Sequence, residues 1–156
     1  DAFMATLAER PPVEVIAGVE AAGIPHSSGL AFAMHAPSVF VRKEAKGHGL
    51  ARRIEGGDVD GRGAVLVEDM VTTGGSSLSA VSALRAAGAT VDTTLAIITY
   101  GFAGMEAAFE AEGVELVVLT TFGAVVALSL SRGTMDRRGA ELVRGWLTDP
   151  HGWEPS

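Results

Sequence analysis

The sequence predicts an α/β fold, a parallel twisted sheet flanked by helices, and three observations carry that expectation. Short apolar runs rich in β-branched residues alternate along the chain with segments of helical spacing. The runs are continuous rather than alternating, as expected of strands covered on both faces. Turn-forming residues, many of them among the 20 glycines, stand between the segments. Strands separated by helices pair in parallel through right-handed crossovers.

The elements follow in order. Val13–Val19 reads as a buried strand, and Glu20–Ser28 as a turn with Gly23 and Pro25 as breakers. Gly29–Ala36 is a short helix, and Ser38–Arg42 a second strand that runs into a basic segment. The glycines on both sides of His48, and those of Gly56–Gly63, mark turning backbone. Ala64–Asp69 is the third strand. Ser77–Ala89 is a helix, with Ser76 or Ser77 as its cap and Gly88 at its C-terminal end. Thr90–Tyr100 is the fourth strand, Ala103–Gly113 a helix, and Val114–Phe122 the fifth strand. Helices over Phe122–Leu130 and Asp136–Pro150 complete the chain, the last stopped by Pro150.

The 156 residues suit one domain, 1–156, and 47% apolar content predicts a packed core. There is no cysteine, which excludes disulfides and thiolate metal sites and fits a reducing, cytoplasmic setting. No apolar run reaches the roughly 18 residues of a membrane span. A net charge of −7 argues against nucleic acid as a partner. Against that background Arg42–Arg53 holds five Lys or Arg and one acid. This island is either a solvated surface loop or a seat for a small polyanion.

The densest chemistry lies in VLVEDMVTTGGSS, Val65–Ser77. Glycines let successive backbone N–H groups turn inward, and the helix that follows adds unpaired N–H groups and the positive end of its dipole. Thr72, Thr73, Ser76 and Ser77 add hydroxyl donors, so this stretch would hold a phosphate monoester without a lysine. The Walker A and GxGxxG patterns are absent. Glu68 and Asp69, just before the nest, suit the vicinal hydroxyls of a ribose, or a magnesium-bound water. The bland alternative is a cap at Asp69 and ordinary turn chemistry at the glycines. Together the carboxylates and the nest suggest a ribose 5-phosphate.

This stretch resembles the motif of type I phosphoribosyltransferases for 5-phosphoribosyl 1-pyrophosphate (PRPP). Phe40–Gly49, FVRKEAKGHG, is similar to the catalytic loop of the orotate phosphoribosyltransferases, and Ala17–Ala31 to that family's loop near base and pyrophosphate. The resemblance covers nearly the whole chain and implies a type I phosphoribosyltransferase-like fold. It implies that Arg42, Lys43, Lys46 and His48 contact the pyrophosphate, and that Lys46 and His48 close over the site. It implies that Glu68 and Asp69 hold the ribose hydroxyls and that Thr72, Thr73, Gly74, Gly75 and Ser76 bind the 5′-phosphate, with Met70 and Val71 in the same motif. Lys46, His48 and Asp69 are the expected catalytic residues. Thr72 and Tyr100 are the expected orotate contacts.

The implied reaction transfers the phosphoribosyl group from PRPP to orotate, giving orotidine 5′-monophosphate and pyrophosphate in pyrimidine biosynthesis. Magnesium is expected on PRPP, with no direct protein ligand, and a homodimer would share the basic loop across its interface. Some positions depart from the common family pattern. Ala21 and Ala22 stand where a Tyr-Lys pair is frequent, and Thr99 and Tyr100 where an Asp-Arg pair is frequent. The family's N-terminal segment has no match here, so the chain is expected to lack it. A phosphoribosyltransferase for another base, with Tyr100 and Phe102 stacked on a purine, remains open. So do a PRPP-sensing module without turnover and a plain α/β interaction domain.

Overall fold

The apolar runs form strands whose side chains alternate between two cores. The computed structural model describes residues 1–8, 10–44, 53–150 and 152–154. Along β1 (Val15–Val19) every residue is buried. Val15, Ala17 and Val19 pack on one face of the sheet with Val81 and Leu84 of α3 (Gly75–Ala86) and Phe109 of α4 (Met105–Ala111). Ile16 packs on the other with Leu30 and Ala31 of α2 (Gly23–Met34) and Leu7 of α1 (Ala2–Leu7). The period of two is strand geometry, and cover on both faces explains the unbroken apolar runs. Each fully buried aliphatic side chain contributes about 1.5–3 kcal/mol through burial.

Among the described residues the strands form one sheet in the order β3-β2-β1-β4-β5-β6. Its further members are β2 (Ser38–Val41), β3 (Ile54–Glu55), β4 (Gly63–Val71), β5 (Thr90–Thr99) and β6 (Glu115–Thr121). Neighbours pair in parallel, as expected, except that β3 runs antiparallel to β2. Helices α5 (Phe122–Ser131) and α6 (Arg137–Thr148) pack on each other beyond the end of β6. Each is capped by a side chain: Thr121 Oγ1 accepts from the N–H of Ala124 at 3.1 Å, and Asp136 Oδ1 from that of Gly139 at 2.7 Å.

Four sequence expectations need correction. Helix α2 begins at Gly23, not Gly29, so most of the expected turn Glu20–Ser28 is helical. Pro25 lies in its first turn, where the missing N–H has no helical partner to lose. Strand β4 continues past Asp69 to Val71, because Met70 and Val71 pair with Ile98 and Thr99 of β5. No strand was expected at Ile54–Glu55, where β3 has two residues, too few to show a period. Helix α3 is capped at Gly74 rather than at Ser76 or Ser77.

Close backbone packing fixes α2 on the sheet. A Cβ on Gly23 would lie 2.6 Å from the carbonyl oxygen of Val67, an atom of the central strand that cannot move aside cheaply. Gly23→Ala should therefore destabilise the fold by about 2 kcal/mol, read as a lower midpoint in urea unfolding. An unchanged midpoint would show that α2 sits less tightly on β4.

Candidate active site

The chain leaves β1 for β2 on one side and returns to β4 on the other. Adjacent strands whose connections run in opposite directions open a crevice at their carboxyl ends, where sheets of this kind take ligands. Glu20–Ala22 after β1, Thr72–Gly74 after β4, and Arg42 and Lys43 after β2 all lie at that edge. The peptide bond Glu20–Ala21 is cis.

The turn after β4 has the form of an anion nest. Thr72 and Thr73 are exposed, and Gly74 adopts φ 87°, the left-handed region that favours glycine. A Cβ there would also lie 2.6 Å from the ring of Phe109. The carbonyl of Gly74 accepts the N–H of Leu78 at 2.9 Å and so starts α3. No side chain caps α3, as none caps α1, α2 or α4, whereas α5 and α6 are capped. Its first-turn amides, with the exposed Gly75 and Ser76, therefore face the edge without a protein acceptor on the cap residue. Ser77 points elsewhere: its hydroxyl is buried and donates to Oε2 of Glu68 at 3.4 Å.

The two carboxylates differ sharply. Glu68 is 5% exposed, and Asp69 is half-buried. The N–H of Asp69 donates to Oε1 of Glu68 at 3.3 Å. Burial foremost, and then the neighbouring Asp69 carboxyl, push the Glu68 carboxyl up from 4.5 to about 7. The pair thus carries less negative charge near neutrality than two free carboxylates, which eases the approach of a phosphate. Met70 is half-buried, and Val71 is a core residue whose carbonyl accepts from Thr99 Oγ1 at 2.8 Å. The side chain of Val71 therefore does not reach the crevice.

Glu20 ties the first turn to the basic segment. Its Oε2 accepts the N–H of Lys43 at 2.9 Å, and its Oε1 lies 4.0 Å from Nε of Arg42. Nη1 of Arg42 lies 3.4 Å from Glu55. Lys43 is exposed at the edge. Lys46 and His48 lie outside the described residues. Arg53, counted by sequence with the basic island, is instead buried. The parts played by Glu20, Gly23 and Ser77 were not legible in the chain, because each acts through a contact with another element of the fold.

At the end of β5, Thr99 Oγ1 also accepts the N–H of Gly101 at 3.1 Å and so shapes the next turn. Tyr100 enters a four-ring cluster. It stacks on Phe102 at 5.3 Å and 21°, and meets Phe122 and Trp146 edge-on at 5.1 Å. The cluster fastens α6 to the carboxyl edge of the sheet, worth about 0.5–1.5 kcal/mol per ring pair beyond burial.

The pattern of the phosphoribosyl transferase domain matches residues 5–130. The chain is 39% identical over 141 residues to the orotate phosphoribosyltransferase of Listeria monocytogenes serotype 4b (strain F2365), covering 90% of this chain and 68% of that protein. The chain belongs to the orotate phosphoribosyltransferase family. Solved structures agree with this. That of the Aeropyrum pernix orotate phosphoribosyltransferase superposes with a TM-score of 0.68 at 31% identity, over 80% of this chain and 67% of that one. The Mycobacterium tuberculosis H37Rv orotate phosphoribosyltransferase in complex with PRPP gives 0.62 at 31% identity, over 78% and 70%. The sheet and its flanking helices are thus those of the type I phosphoribosyltransferase fold.

For this family member the state of Glu68 has a measurable consequence. A carboxyl raised on folding favours the folded state fully below its ordinary 4.5, and that contribution is lost as the pH rises through about 7. The melting temperature should fall between pH 5 and pH 8, and Glu68→Gln should flatten that fall. Equal slopes in the two proteins would assign the pH dependence to other groups.

Proposed function

We propose that this chain transfers the 5-phosphoribosyl group from PRPP to N1 of orotate, releasing pyrophosphate and forming orotidine 5′-monophosphate for pyrimidine biosynthesis. The observation that carries this reading is the uncapped start of α3. It follows the Thr72–Gly74 turn, which comes after a carboxylate pair near the end of β4, at the switch point of the sheet.

Each part of the edge then has a task. The amides and hydroxyls of Thr72, Thr73, Gly74, Gly75 and Ser76 receive the 5′-phosphate. Asp69 accepts from the ribose diol, supported by Glu68. Met70 and Val71 contribute backbone, since Val71 turns its side chain into the core. Arg42 and Lys43 face the pyrophosphate, with Lys46 and His48 on the segment that follows. Thr72 lies at the orotate end, and Tyr100 bounds it as part of the ring cluster.

The C1–O bond of PRPP breaks with its electron pair passing to pyrophosphate, and the lone pair of orotate N1, bound already deprotonated at that nitrogen, forms the new bond to C1. Bond breaking leads, as at other glycosidic centres. Charge therefore grows on the leaving group, where Lys46, Lys43 and Arg42 stabilise it and His48 donates a proton. The donor set fits magnesium brought in on PRPP. This ion ordinarily keeps several waters and binds substrate phosphates with one or two carboxylates, and Asp69 offers one half-buried carboxylate through water. When bound, magnesium neutralises part of the pyrophosphate charge.

We further propose a cytoplasmic homodimer that shares the basic segment between subunits. Among the described residues no helix is long and apolar enough to cross a membrane. Phe32 on α2 is 83% exposed, a side chain that a second subunit would cover.

Orotate-dependent release of pyrophosphate from PRPP tests the assignment, with uracil, hypoxanthine and adenine as competitors. Turnover with another base and none with orotate would replace it. Lys46→Ala should lower kcat by about 100-fold or more while changing PRPP affinity far less. Mixing Lys46→Ala with Asp69→Asn subunits should restore part of the activity, and no recovery would count against a shared site.

A further inference from the structure

Arg53 is 7% exposed although it ends the most basic segment of the chain. Its Nε donates to the carbonyl of Arg42 at 2.6 Å. Its Nη1 donates to Oγ of Ser79 at 2.8 Å and to the carbonyl of Ser79 at 3.3 Å. The N–H of Arg42 donates in turn to the carbonyl of Arg53 at 2.8 Å. One guanidinium thus bridges the end of β2 and the second turn of α3. Under the PRPP reading these elements carry opposite ends of the substrate. The pyrophosphate lies at Arg42 and Lys43, and the 5′-phosphate at Thr72–Ser76 and the start of α3.

We propose that Arg53 is a positioning residue that sets the spacing between the two anion-binding ends of the site, so that the crevice favours a ribose phosphate charged at both C1 and C5 over one charged at C5 alone. The inference rests on the phosphoribosyl reading. A guanidinium suits the task because its planar fork donates in two fixed directions, whereas an ammonium is a point donor on a flexible stem. Burying it is costly unless its hydrogen bonds are made, and the acceptors here are backbone carbonyls and a hydroxyl rather than a carboxylate. A ligand anchored at both ends is sensitive to their separation, and a misplacement of about 1 Å can cost up to ~100-fold. A ligand anchored only in the nest does not sense that distance.

The test compares PRPP with ribose 5-phosphate by calorimetric titration, in the presence of magnesium, on the full chain. Arg53→Lys keeps the charge but cannot reach both partners. Its Kd for PRPP should rise about tenfold while that for ribose 5-phosphate stays within about twofold. Ser79→Ala removes one acceptor and should raise the PRPP Kd about threefold, again sparing ribose 5-phosphate. Should Arg53→Lys fail to fold, the Ser79→Ala comparison decides. Equal weakening of both ligands, as a general structural defect would give, or unchanged PRPP affinity, overturns the inference. If the unaltered chain binds neither ligand, the phosphoribosyl assignment falls, and this inference with it.

Discussion

The turn at Gly74 is the constraint on which the rest of the site depends. The chain leaves β4 at Val71 and must begin α3 at Gly75, with only three residues between them. A left-handed residue makes so sharp a change of direction possible, and the ring of Phe109 fills the space that a side chain would need. Because the cap residue is a glycine, no side chain consumes the first amides of α3. The same choice that turns the chain therefore leaves the helix dipole open toward the crevice. A serine or aspartate cap would strengthen an isolated helix over glycine by only about a few tenths of a kcal/mol, and its side chain would occupy the anion seat.

Electrostatics around that turn resolve an apparent conflict. A chain of net charge −7 that places two adjacent carboxylates beside the proposed phosphate nest should repel such a ligand. Burial of Glu68 foremost, and then the neighbouring Asp69 carboxyl, relieves this, since both disfavour the charged form of Glu68. The positive contribution comes from backbone amides and from cations on the β2 side. Glu20 steadies that side by holding the N–H of Lys43 and lying beside Arg42. Acids thus organise the cations and, under the proposed function, the sugar as well.

Far from the crevice, the amino edge of the sheet is closed by a bidentate pair. Both guanidinium nitrogens of Arg10 donate to Glu115 at 2.7 Å, joining the segment before β1 to the start of β6. The pair is partly exposed, so its contribution is small, on the order of 1 kcal/mol or less. The carboxyl edge is joined instead by the aromatic cluster, which is apolar and largely insensitive to salt. The two edges of one sheet are therefore held by different physics, and the stronger fastening lies next to the site.

Residues that act through neighbours in sequence were legible in the sequence alone. Continuous apolar runs announced strands covered on both faces, and the glycines announced the turn between β4 and α3 from which the sugar-phosphate site is proposed. These signals are local, because strand period, glycine conformation and helix polarity operate over a few residues. Contacts between distant segments needed the tertiary structure. It put Ser77 on Glu68 instead of on the helix cap, started α2 early around Pro25, added the two-residue strand β3, and buried Arg53 between β2 and α3. Nothing in the bare chain distinguishes a buried arginine from a solvated one, since burial depends on what the fold brings beside it, and only packing decides that.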